Sequence, residues 1–123
     1  MLGRTLLTLG ALLLIGTAAF HGSGAATVAG WLGGERGALL QTLWFIPVLD
    51  WATVGLAWLY IAWRGGSRLA PLVWLLALIP AGAAAMIAAS VGPNFVGVWL
   101  LAGAALLALL GSVALPRAGQ RVA

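Results

Sequence analysis

Four apolar runs, each long enough to cross a lipid bilayer, constrain this chain more than any other feature. A helix spanning the hydrocarbon needs roughly 20 apolar residues, within a range of about 17 to 25. Residues 5–21, 38–63, 69–90 and 95–115 meet that requirement. The segments between them carry helix-ending residues: the stretch 22–37, then Gly65, Gly66 and Ser67, then Gly92, Pro93 and Asn94. Glycine is too free and proline lacks a backbone donor, so both interrupt helices. Runs of this length are not the short alternating strands of a membrane barrel. The expected fold class is therefore an all-α membrane protein, a single domain over residues 1–123. Its four transmembrane helices form an up-down bundle with both termini cytoplasmic.

Composition excludes the alternatives. Of 123 residues, 63% are hydrophobic and 7% charged, whereas a soluble domain carries about 25% charged residues. Too few charges remain to cover a water-facing surface. Disorder requires the opposite balance, and the absence of cysteine rules out a disulfide-stapled fold. The net charge of +4 does not point to nucleic acid, because the arginines sit singly or as one close pair at the ends of apolar runs. They set topology instead. With four crossings, Arg4, Arg64, Arg68, Arg117 and Arg121 fall on one side, and only Arg36 falls on the other, beside Glu35. The positive-inside rule places the first group in the cytoplasm. Arg4, the apolar run to Phe20, and Ser23 and Ala25 beyond it also match a signal peptide with its cleavage site. Cleavage there leaves three helices; the expectation adopted is an uncleaved first helix.

Packing between helices in lipid depends on small residues at the contacts. Ala81, Ala85 and Ala89 in the third run, and Ala104, Ala108 and Ser112 in the fourth, recur at four-residue spacing. These stripes predict a close antiparallel pairing of the last two helices. In the second run Trp44, Trp51 and Trp58 repeat every seven residues and share one face. Trp31, Trp63, Trp74 and Trp99 suit the interfacial aromatic belt. Trp51 lies too deep for it, and is expected either to pack on a neighbouring helix or lipid, or to form an aromatic wall for a flat lipophilic ligand or a partner subunit.

Asp50 is the one acid inside a run, near the middle of the second. At a helix centre an ionised Asp costs about 2.5 to 3.5 kcal/mol even on the forgiving insertion scale. No Arg shares its depth, and His21 is more than about 10 Å away along the membrane normal. An unpaired acid in hydrocarbon is expected to hold its proton and to donate it to an acceptor. Pro80 frees the carbonyl of Leu76 and Pro47 that of Leu43. Donation to Leu76, shared with Thr53 or a water, is the structural expectation; proton or ligand handling is the functional one. His21, at the outer end of the first run, is expected to cap carbonyls or to hydrogen-bond Gln41 or Glu35, or else to gate the mouth of a cavity as pH changes. The candidate functional residues are thus Asp50, His21, Trp51 and Gln41.

No catalysis is expected, because no serine has a positioned base and no two carboxylates share a depth. A lone His makes a poor zinc site, and no phosphate loop or dinucleotide fingerprint occurs. No cofactor or metal is implied. Small multidrug-resistance transporters have a similar length but carry an essential Glu in the first helix, where this chain has no acid. Four-helix fluoride channels are similar in size, yet their polar track is absent here. The His21-Gly22 step after the first helix and the Trp-rich second helix resemble the uncharacterised small four-helix inner-membrane proteins of bacteria. That resemblance implies a multi-pass inner-membrane location and no known activity. The expected partners are the lipid bilayer and either a homo-oligomer or a larger membrane complex. The leading expectation for function is a non-catalytic accessory or structural subunit. Binding of a lipophilic ligand, or proton-coupled transport through Asp50, stands as the alternative.

Overall fold

The structure, a computed structural model, describes residues 1–116; Arg117 and Arg121, counted in the charge reading, lie outside the described residues. Among those residues the chain is helical with no strand. Helix α1 covers Leu2–Ser23, α2 Ala25–Leu32, α3 Gly34–Tyr60, α4 Ala70–Ser90 and α5 Val96–Val113. A π-helical turn, Ile61–Gly65, and a 3-10 turn, Gly66–Leu69, join α3 to α4. The stretch 22–37, expected as a connection, thus contains a helix of its own. Helix α2 folds tightly onto the start of α3, so that a side chain at Gly37 would strike the carbonyl oxygen of Ala29.

Three helical stretches are long and apolar enough to cross a membrane: Leu2–Leu32, Gly34–Ser90 and Val96–Val113. The middle one has 57 residues, about 85 Å if straight at roughly 1.5 Å per residue. It is not straight. Trp44, near the start of α3, and Ile87, near the end of α4, line the same cleft, so the chain doubles back between them. The reversal passes through Gly66, whose φ of 59° lies in the left-handed region that glycine enters without strain.

Helix α1 packs between α3 and α5, α4 packs on α5, and α3 touches α4 sparingly. Among the long helices, α1 and α5 approach closely and run antiparallel. A Cβ at Gly10 would stand 2.8 Å from the Ala104 carbonyl oxygen, and one at Gly111 2.5 Å from the Leu7 backbone nitrogen. A side chain at Gly3 would strike the carbonyl of Ala114. Backbones meet here because nothing projects between them, the usual basis of tight pairing in lipid. On α5 the stripe of Ala104, Ala108 and Ser112 is buried as its spacing suggests. Ala81, Ala85 and Ala89 of α4 are exposed, however, and α4 buries Val73, Ala77, Pro80 and Ala84 instead. Helix α4 carries small residues on every side in this region, so spacing alone did not select the contacting face.

Candidate functional site

The site begins with the end of α1. A helix leaves its last four carbonyls without intrahelical donors. The His21 carbonyl finds two: the backbone N–H of Gly24 at 3.1 Å and the indole Nε1–H of Trp44 at 2.8 Å. That second bond ties α3 to α1. The His21 ring then lies flat on the Trp44 ring, with centroids 4.1 Å apart and planes 8° apart. Trp51, one heptad further along α3, meets the same imidazole edge-on at 5.2 Å and 66°. The expectation that His21 bonds Gln41 or Glu35 is therefore replaced by aromatic packing, because the Trp44–Trp51 face of α3 turns toward α1. The His21 Nε2 is buried and has no hydrogen-bond partner among the described residues.

A cleft of about 450 Å³ opens beside this cluster, lined by Phe20, His21, Ser23, Gly24, Trp44, Ile87, Val91 and Phe95. Ligand pockets are typically about 300–1,000 Å³ and mostly apolar with few polar groups. An inner recess of about 50 Å³ adjoins it, reaching Thr17, Trp51, Leu100 and Leu101. A water needs roughly 10–15 Å³, so the recess has room for a water or a single ligand hydroxyl. Thr17, which borders the recess, donates its hydroxyl to the Leu13 carbonyl at 2.8 Å, as threonines on helices commonly do. Phe20 and Phe95 are exposed, so the outer part of the cleft is open to its surroundings.

The other sequence-derived residues are dispersed. Trp51 is 5% exposed and Trp58 fully buried, which turns the Trp stripe inward. Trp31, Trp63, Trp74 and Trp99 are exposed. Gln41 is half-buried and does not line the cleft. Asp50 is exposed on the outer face of α3, with Thr53 exposed one turn on. It makes no hydrogen bond or ion pair among the described residues. The expected bond to the Leu76 carbonyl does not form, because α1 and α2, rather than α4, occupy most of the space beside α3. On a helix that crosses a bilayer, this position sets Asp50 against lipid, where its charged form costs about 2.5 to 3.5 kcal/mol.

No group of three or more His, Cys, Asp or Glu able to hold a metal occurs among the described residues. Phe20, Ile87 and Phe95 were missed as site residues. In a chain this rich in apolar residues nothing local distinguishes a cleft lining from a lipid-facing side chain. The neighbouring His21 was the one signal. No family model matches this chain, and no curated protein or solved structure matches it.

Proposed function

We propose that this chain is a non-catalytic, multi-pass protein of a bacterial inner membrane that binds a lipophilic molecule in the cleft beside His21. The carrying observation is the aromatic-walled space of about 450 Å³ between α1, α3, α4 and the start of α5. An apolar ring or chain fits its Phe20, Trp44, Ile87 and Phe95 walls, and one hydrogen-bonding group of the ligand fits the recess near His21. Four crossings with cytoplasmic termini accompany this reading. Arg4 and Trp63 line one shared pocket, which brings Arg4 to the same end as Arg64 and Arg68. Arg36 and Glu35 stand near the opposite end, at the start of α3.

The test is mass spectrometry of small molecules that copurify with the protein in mild detergent. A roughly stoichiometric lipophile is expected with the wild-type chain and is expected to be lost from Trp44→Ala. Equal recovery from both would overturn the reading. Asp50 does not line this cleft, so proton-coupled transport through Asp50 gains no support from the geometry. An accessory subunit remains the second reading, favoured by the broad exposed face of α3 that bears an acid. A pull-down that returns this chain alone would remove it.

A further inference from the structure

The outward face of α3 holds a polar group that has no partner among the described residues. Asp50 lies midway between Gly34 and the turn at Gly65, roughly 23 Å from each at about 1.5 Å per residue. Leu43, Ile46, Asp50, Thr53, Ala57 and Tyr60 follow one another at alternating steps of three and four residues. All are exposed except the half-buried Ala57. Alternating steps of this kind mark the seam of a two-helix coiled coil, in which one central polar position fixes register and oligomer state. Helix α3 is also peripheral: its inner face, with Trp51, Val54, Gly55 and Trp58, is already used against the bundle.

The geometry points to a second copy of this chain as the occupant of that face, with α3 packed on α3 about a two-fold axis along the membrane normal. The charge distribution supports a copy of like orientation, since Arg4, Arg64 and Arg68 mark one end and Arg36 the other. Two copies inserted the same way bring identical residues to identical depth. Asp50 then meets Asp50 and Thr53 of the second copy. A carboxyl oxygen accepts from a threonine hydroxyl, so each Asp50 finds a donor in the second copy's Thr53, where a purely apolar partner would leave the acid unpaired. The interface is isologous, as two-fold contacts are. Ala57 and Thr53 are small enough to let the two backbones approach.

The chain has no cysteine, which makes the test direct. Thr53→Cys and Leu12→Cys, the latter on an exposed site of α1, are oxidised in native membranes with a lipid-permeant catalyst. A disulfide-linked dimer is expected from Thr53→Cys and not from Leu12→Cys. In parallel, monomer–dimer exchange is followed by energy transfer between labelled copies of the full chain in bilayers. Asp50→Asn, which keeps a donor and an acceptor, is expected to preserve association. Asp50→Leu is expected to weaken it about tenfold, the scale of one interhelical hydrogen bond in lipid. A leucine at a lipid-facing position leaves the fold intact, and retained far-UV helicity and thermal midpoint verify this. Cross-linking of Thr53→Cys no greater than that of Leu12→Cys, Asp50→Leu associating as well as the wild type, or an unrelated protein cross-linking in place of the second copy would each overturn the assignment. The cleft beside His21 is not involved, so its ligand is expected to copurify unchanged with Asp50→Leu.

Discussion

At the scale of single residues, two polar side chains at nearly the same level of neighbouring helices meet opposite fates. His21 is drawn into an aromatic stack because its own carbonyl, orphaned at the end of α1, anchors Trp44 at 2.8 Å. Asp50 is left outside. Sequence position put them more than about 10 Å apart in depth, whereas the His21 ring packs on Trp51, the residue after Asp50, at 5.2 Å. Sequence position did not set azimuth either, and azimuth separates a site residue from a surface one. The Trp44 bond has a measurable consequence. Trp44→Phe keeps a ring on the imidazole but removes the indole donor, while Gly24 N–H still satisfies the His21 carbonyl. The expected loss is about 0.5–1.5 kcal/mol, the net value of one hydrogen bond, read as a lower midpoint of thermal unfolding in mild detergent. No change at all would mean the bond contributes nothing to holding α3 on α1.

At the scale of elements, the helices pair through their glycines rather than through their most regular alanine stripe. The α1–α5 contact is tight because Gly3, Gly10 and Gly111 bring backbone against backbone. Gly111→Ala places a Cβ 2.5 Å from the Leu7 nitrogen, a contact that only movement of the helix backbone relieves. Overpacking of this kind costs about 1–3 kcal/mol, and that loss is expected in detergent unfolding. Gly82→Ala on α4 is the matched control, since a Cβ there meets nothing within 4 Å. It is expected to be neutral or slightly stabilising, because alanine favours helix over glycine by about 1 kcal/mol. Equal losses from both substitutions would show that the α1–α5 approach is looser than described. The stripe of Ala104, Ala108 and Ser112 was legible in the sequence because Leu106, Leu107, Leu109 and Leu110 set it off in the second half of α5. The face of α4 was not, because Ala81, Ala83, Ala84 and Ala85 surround the helix with small side chains.

At the scale of the whole molecule, the ends differ in character. Arg4, Thr5, Thr8 and Trp63 gather at one end, and the aromatic cleft opens at the other. In the proposed orientation the cleft faces away from the cytoplasm. Thr27→Cys on α2 is then expected to react with a membrane-impermeant thiol reagent in intact cells. Thr5→Cys is expected to react only after the cells are opened. The reverse pattern would invert the orientation, and labelling of both from outside would rule out a single one.

The sequence by itself determined the helical class and the approximate extent of the apolar helices. Each of these is a one-dimensional property, set by local composition and by a constant rise per residue. Only the tertiary structure decided which face of each helix turns inward. In water an amphipathic pattern would announce that face. Lipid is as apolar as leucine and supplies no such drive, so helices apolar on all sides carry little record of their own orientation. The inward choice came from close-range fit: glycine against backbone between α1 and α5, and indole on imidazole between α3 and α1. Those contacts built the cleft at His21, and they left Asp50 on the face that a second copy can cover.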